Sequence, residues 1–167
     1  SRLDEDDLKL ADLNEGIQST LLVLAPQLKE RVRIDLDLAA LPAVECHPCK
    51  LNQVFMNILN NAVQAILGQQ RSDEGRVQVC SRVVGDQVVI SISDDGPGIP
   101  PSVIGKVFDP FFSTKDVGEG TGLGLSIAFS IVEKHHDRIT VDSVPGAGAA
   151  FHVTLPLVQT NEARKRA

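Results

Sequence analysis

Residues 76–93 read RVQVCSRVVGDQVVISIS, two runs rich in Val and Ile separated by Gly85-Asp86. Gly-Asp between apolar runs is a tight-turn signal, so Arg76–Val84 and Gln87–Ser93 read as the two strands of a hairpin. Further along the chain the same pattern recurs, with strands over Arg138–Ser143 and Ala149–Leu155 flanking the turn-forming PGAG of 145–148. Upstream, Val32, Ile34, Leu36 and Leu38 alternate with Arg33, Asp35 and Asp37, a strand with one buried face. Ile17, Leu21, Leu24 and Leu28 recur at helical spacing behind a good N-cap, Asp12, which predicts a helix over 14–30, locally weakened by Pro26. A second helix is expected from Pro48 to Leu67 with Gly68 closing it, a third from Leu123 to His135, and one or two helical turns over Pro101–Val107. The order is α-β-α-β-β-loop-α-β-β. Strands that arrive mostly as hairpins rather than as βαβ units predict an α+β fold. The expectation is a two-layer α/β sandwich, with a mixed, mostly antiparallel sheet of about five strands and three helices on one face.

With 167 residues the chain is long enough for one domain with a single sizeable core. Its net charge of −6 and the lack of a basic run outside Ala163-Arg164-Lys165-Arg166 argue against nucleic acid as a partner. Residues 51–70 carry no charge, yet Asn52, Gln53, Asn57, Asn60, Asn61 and Gln64 exclude a membrane span, because six amides would seek partners in hydrocarbon. The acidic start, Asp4 to Asp7, is unlike a signal peptide, so a cytoplasmic location without membrane contact is expected. Cys46-His47-Pro48-Cys49 is a lone C-x-x-C and a weak metal signal. It reads as reduced thiols at a strand-to-helix turn, or, with Cys49 in a first helical turn, as a thiol made reactive by the helix dipole.

Three features carry chemistry. Residues 117–127, VGEGTGLGLSI, place glycine at 118, 120, 122 and 124, where each costs about 0.5–1 kcal/mol in a helix interior. They fit neither G-x-x-x-x-G-K-[ST] nor G-x-G-x-x-G, but share the physics of both: bare backbone N–H groups leading into a helix N-terminus, an anion site. The unperiodic segment before them, 108–121, is unusually long for a compact domain and so reads as functional. On the uncharged helix, Asn57, Asn61 and Gln64 form a stripe at the margin of the apolar face. Amide oxygens there suit a Mg²⁺ whose other ligands are phosphates and water, or serve ordinary hydrogen bonding at a core edge. Finally, Asp94-Asp95-Gly96-Pro97-Gly98-Ile99-Pro100 ends the apolar strand VVISIS. A carboxylate there needs a donor, and the amino group of adenine is one; a plain turn is the other reading.

Taken in order, the amide stripe, DxGxGI, F-x-P-F-F at 108–112 and GxGTGLGL resemble the four boxes of the ATP-binding domain of sensor histidine kinases. That superfamily also holds gyrase, Hsp-type chaperone and mismatch-repair ATPases, and the likeness spans 12–157, nearest the nitrogen-regulator-like subgroup. The resemblance implies ATP and Mg²⁺ as cofactors. It makes Asn61 the metal ligand, with Asn57 and Gln64 beside the triphosphate. Asp94 would read adenine, with Gly96, Gly98 and Ile99 walling the base. Phe108 would anchor a mobile ATP lid carrying Thr114 and Lys115, the latter reaching the phosphates as a catalytic group with Asn57. Gly120, Thr121, Gly122, Leu123, Gly124 and Leu125 would be the hinge and phosphate-facing helix start. Residues 1–11 would be the end of a dimerisation helix or a linker, and 158–167 a C-terminal tail.

The implied partners are a dimerisation domain that supplies the acceptor histidine and a response-regulator receiver domain. None of His47, His135, His136 and His152 lies in a setting that suits an acceptor, so the chain reads as a catalytic domain, monomeric by itself. Three departures from the family pattern stand out: Gln64 and Ala65 where a cation and an aromatic are common, His136-Asp137 in place of Gly-Gly, and Ala149-Ala150 where Thr often follows glycine. A left-handed turn retained at 136–137 would cost about 1 kcal/mol without glycine. Rival readings are a gyrase-like ATPase, which would need Glu at Asn57, an anti-sigma-factor-type serine kinase, and a nucleotide sensor that transfers nothing.

Overall fold

The structure is a computed structural model that describes residues 7–112 and 123–159. In chain order it contains β1 (Lys9–Ala11), α1 (Leu13–Leu24), a 3-10 turn (Ala25–Leu28), β2 (Val32–Leu38), β3 (Val44–Cys46) and α2 (Pro48–Leu67). There follow β4 (Gly75–Val84), β5 (Gln87–Asp94), a second 3-10 turn (Ile104–Lys106), α3 (Gly124–Lys134), β6 (Arg138–Val144) and β7 (Gly148–Pro156). The main sheet has the order β2-β4-β5-β7-β6. Within it β2 and β4 run parallel, while β4–β5, β5–β7 and β7–β6 are antiparallel. The predicted α+β sandwich is therefore what forms.

Period-2 patterning drives the layering. Val77, Val79, Ile90, Ile92, Phe151 and Val153 are all within 1% of full burial and face the helices. Each such side chain contributes about 1.5–3 kcal/mol of burial. Alternate residues turn to the opposite face, where the His152 ring sits between Ser91 Oγ (2.8 Å from Nδ1) and Asp142 Oδ2 (3.0 Å from Nε2). Across the layer, α2 contributes Leu51, Val54, Phe55, Ile58, Leu59 and Val63, none with measurable exposure. It is flanked by α1 and α3, giving the expected three helices.

Several boundaries differ from the sequence reading. Asp12 caps α1 as expected, its Oδ1 accepting from Asn14 N (3.0 Å) and Glu15 N (3.3 Å). The helix stops at Leu24 rather than 30: Ala25 keeps helical φ and ψ, but Pro26 has no N–H to offer the carbonyl of Leu22, and the chain tightens into the 3-10 turn Ala25–Leu28. Residues 9–11 are a strand, not linker: β1 pairs antiparallel with β3, register Leu10↔Glu45. Three-residue strands carry no period, so the sequence signals neither. The helical turn expected over 101–107 forms as a 3-10 turn, Ile104–Lys106. Gly68 does end α2, but with a right-handed φ of −64°. The left-handed turn at 136 persists without glycine, His136 having φ 66°; histidine is among the residues enriched in that region.

Candidate nucleotide site

One face of α2 organises the site. Asn57, Asn61 and Ala65 follow at four-residue intervals and so share that face. At its N-terminal end the Asn57 side chain donates from Nδ2 to the carbonyl of Gly124 (2.9 Å), the first residue of α3. A Cβ on Gly124 would stand 3.9 Å from Asn57 Cβ, so the helices meet closely there. At the other end a Cβ on Gly96 would stand 3.5 Å from Ala65 Cβ and 2.8 Å from Asp94 Oδ1. Two turns of helix, about 12 Å, separate these contacts. Asn61 lies midway, half-buried, and among the described residues neither it nor Gln64 makes a side-chain hydrogen bond.

Asp94 closes the end of that face beside Ala65. It is 8% exposed, and burial pushes its carboxyl above the ordinary value; hydrogen bonds from the backbone N–H of Gly96 and Ala149 oppose that, and the Asp95 charge adds to it. The Gly96 bond is 2.9 Å to Oδ1. A carboxylate can accept about four hydrogen bonds, so with these two backbone donors Asp94 keeps acceptor capacity for a ligand donor. Gly98 has φ 76° and packs against the β6–β7 turn. There Ser143 Oγ accepts from Ile99 N (2.7 Å) and donates to Gly148 O (3.0 Å). Nothing in the sequence points to Ser143, since only the sheet register brings it to the loop.

Arg71 is likewise silent in the sequence. Its guanidinium donates to Asp95 O (2.9 Å) and Asp95 Oδ1 (2.7 Å), tying the α2–β4 connection to the glycine-rich loop. A polar RSDEG segment gives no signal of that contact. Phe108 packs among aromatic rings, 5.2 Å from Phe129 and 6.0 Å from Phe151, at the start of the proposed lid. Leu125 packs against the core, and Leu123 occupies the N-cap position of α3 with its carbonyl accepting from Ser126 Oγ (2.9 Å). The first-turn N–H groups of α3 have no acceptor within the helix, the usual basis of an anion site. Thr114, Lys115, Gly120, Thr121 and Gly122 lie outside the described residues.

Among the described residues no three His, Cys, Asp or Glu side chains cluster to hold a metal. The donor set on α2 is instead hard, neutral amide oxygens, with Asn61 making no side-chain hydrogen bond among the described residues. That fits Mg²⁺, which keeps waters and takes phosphate oxygens, rather than a metal that needs an all-protein cage.

Residues 47–159 match the family model of histidine kinase-, DNA gyrase B-, and HSP90-like ATPases. Over 136 residues the chain is 38% identical to Sporulation kinase E of Bacillus subtilis (strain 168), covering 80% of this chain and 18% of that protein. In fold it is similar to the nucleotide-free catalytic domain of histidine kinase ThkA, with TM-score 0.80, 27% identity, and 92% and 97% of the two chains covered. It also aligns with ThkA in complex with response regulator protein TrrA, with TM-score 0.75 and 25% identity over 93% of this chain and 42% of that one. The chain spans 18–32% of the length of the curated relatives it matches, most of them sensor kinases. With two-thirds of its residues inside the family model and a fold shared over 92% of its length with a kinase catalytic domain, this chain belongs to the histidine kinase-, DNA gyrase B-, and HSP90-like ATPases.

Proposed function

We propose that this chain binds Mg-ATP and donates the γ-phosphoryl group to a histidine on a separate dimerisation domain, for onward transfer to an aspartate of a response regulator. The observation that carries the reading is the α2 face, which touches the start of α3 at Asn57 and the Asp94 corner beside Ala65. The separation of about 12 Å suits a ribose and triphosphate laid along the helix. In this reading Asp94 accepts from the adenine amino group while Gly96, Gly98 and Ile99 flank the base. Asn57 and Gln64 face the phosphates, Asn61 holds Mg²⁺, and Gly120, Thr121, Gly122, Leu123, Gly124 and Leu125 present backbone N–H groups. Lys115 and Thr114 close from the lid that Phe108 anchors. Bound magnesium would neutralise charge as the phosphoryl group moves.

The acceptor is placed outside this chain for physical reasons. His135 is 2% exposed, and its ring bridges Ile131 O (2.8 Å from Nδ1) and His47 N (3.1 Å from Nε2). Both ring nitrogens of His152 are likewise engaged. Asn57 supplies an amide where a hydrolytic ATPase needs a general base, so unassisted hydrolysis is expected to be slow. Among the described residues no helix is long and apolar enough to cross a membrane; we place the domain in the cytoplasm, monomeric when separate from its dimerisation partner.

Incubation with γ-labelled ATP and a separately prepared dimerisation domain tests this. Acid-labile label on histidine is the expected result. Acid-stable label would point to serine, and binding without transfer to a nucleotide sensor.

A further inference from the structure

We propose that Arg71 is a positioning residue for adenine selection, acting on Asp94 through the Asp95–Gly96 peptide; the proposal rests on the nucleotide-site reading above. The Asp95 carbonyl and the Gly96 N–H belong to one planar peptide unit. Arg71 Nη1 donates to that carbonyl at 2.9 Å, and the Gly96 N–H at the other end of the plane donates to Asp94 Oδ1 at 2.9 Å. Rotation of the peptide breaks both bonds together. The guanidinium therefore sets the direction of the donor that fixes the Asp94 carboxylate.

The strut is itself held. Arg71 Nη2 donates to Asp95 Oδ1 at 2.7 Å, so one planar group grips backbone and side chain of the same residue. Arg76 completes the frame, its N–H donating to Asp95 Oδ1 (2.9 Å) and its carbonyl accepting from Asp95 N (3.2 Å). Arg71 Nη1 also reaches Gln69 Oε1 (3.1 Å), and Arg31 Nη2 donates to Arg71 O (2.6 Å). Nε is buried without a hydrogen bond, its nearest acid, Asp73 Oδ1, lying 3.5 Å away. The Arg71 side chain is 21% exposed against 48% for Asp95, a pair too near solvent to carry much global stability. Its value lies in geometry. Lysine, a point charge, cannot span the two acceptors as a guanidinium does.

The test titrates the chain calorimetrically with Mg-ATP, Mg-GTP and base-free inorganic Mg-triphosphate, comparing wild type with Arg71→Ala, Arg71→Lys and Asp94→Ala. Arg71→Ala is expected to shrink the preference for ATP over GTP about tenfold, equivalent to about 1.4 kcal/mol, while triphosphate affinity holds. Arg71→Lys should recover only part of the preference. An unchanged ATP/GTP ratio in Arg71→Ala, or triphosphate binding that falls in step with ATP, overturns the proposal. Should that variant fail to fold, Arg71→Lys and Asp95→Asn take its place: a reduced ATP/GTP ratio supports the proposal and an unchanged one overturns it. A ratio altered in Asp94→Ala but not at Arg71 sinks this proposal alone; a ratio unaltered in Asp94→Ala sinks the nucleotide-site reading and this proposal with it.

Discussion

Replacing Gly148 by alanine should cripple the sheet at its junction with the site. Gly148 has φ 103°, which an L side chain rarely adopts, and an added Cβ would overlap the Asp94 carbonyl oxygen. The same Cβ would stand 2.9 Å from the Asp94 carbonyl carbon and 3.1 Å from Asp95 Cα. These are backbone atoms of a paired strand, so no rotamer change relieves the clash; β7 must move off β5 where Asp94 pairs with Ala149. Left-handed strain contributes about 1–2 kcal/mol, and overpacking about 1–3 kcal/mol. The sum, about 2–5 kcal/mol, is a large share of the 5–15 kcal/mol that holds a typical domain. At about 2–4 °C per kcal/mol for a chain of this size, Tm should fall by about 4–20 °C. Thermal unfolding followed by far-UV circular dichroism reads this. Gly105→Ala is the control, since nothing lies within 4 Å of its added Cβ and its φ is not positive. A Gly148→Ala Tm within about 2 °C of wild type would refute the argument.

Asp94→Asn keeps the shape but loses the charged acceptor; calorimetric Kd for Mg-ATP should rise roughly 10- to 100-fold, consistent with about 1.5–3 kcal/mol for a charged hydrogen bond, and equal affinity would contradict the role. Burial holds His135 below its ordinary value, with the Ile131 carbonyl opposing and the nearby His47 and His136 reinforcing. Its stabilisation is therefore complete above about pH 6.5, the ordinary histidine value, and lost as pH falls below it. Asp94, with its carboxyl raised, works in the opposite sense on acidification, so the histidine effect is read as the difference between urea unfolding of wild type and of His135→Phe at pH 7.5 and 5.5. A pH slope identical in the two proteins would refute it. Burial raises the Cys46 thiol to about 11 while Cys49 is exposed, so a thiol reagent at pH 8 should modify Cys49 in the folded protein and Cys46 only after unfolding. Equal rates would contradict the burial of β3.

The parts legible in the sequence are those with a long period or local punctuation. The α2 boundaries, Pro48 and Leu67, follow from twenty residues of apolar periodicity between a proline and a glycine. The β4–β5 hairpin follows from Gly85, whose φ of 62° is what the turn requires. The parts that escape such reading are long-range: β1 and β3, three residues each, 35 positions apart by their Leu10↔Glu45 pairing; Arg71 on Asp95; Ser143 on Ile99. A helical period also overruns at Pro26, where a missing backbone donor outranks side-chain spacing. At the site the amide stripe and the buried aspartate are readable as residue types, but not that Asn57 Nδ2 turns to Gly124, since that depends on how α3 docks.

The pairing of β1 with β3 has a mechanical corollary. Gln159 N donates to Glu45 Oε1 (2.8 Å) and its Nε2 to His135 O (2.8 Å), so the incoming and outgoing chain are moored to the same short ribbon. That mooring sits at the last turn of α3, whereas Asn57 meets its first; eleven residues, about 16 Å, lie between. The contacts that tether Gln159 and those that meet Asn57 therefore lie at opposite ends of one helix. A pull on either flank would load β3 and the root of α2 before it reached Asp94.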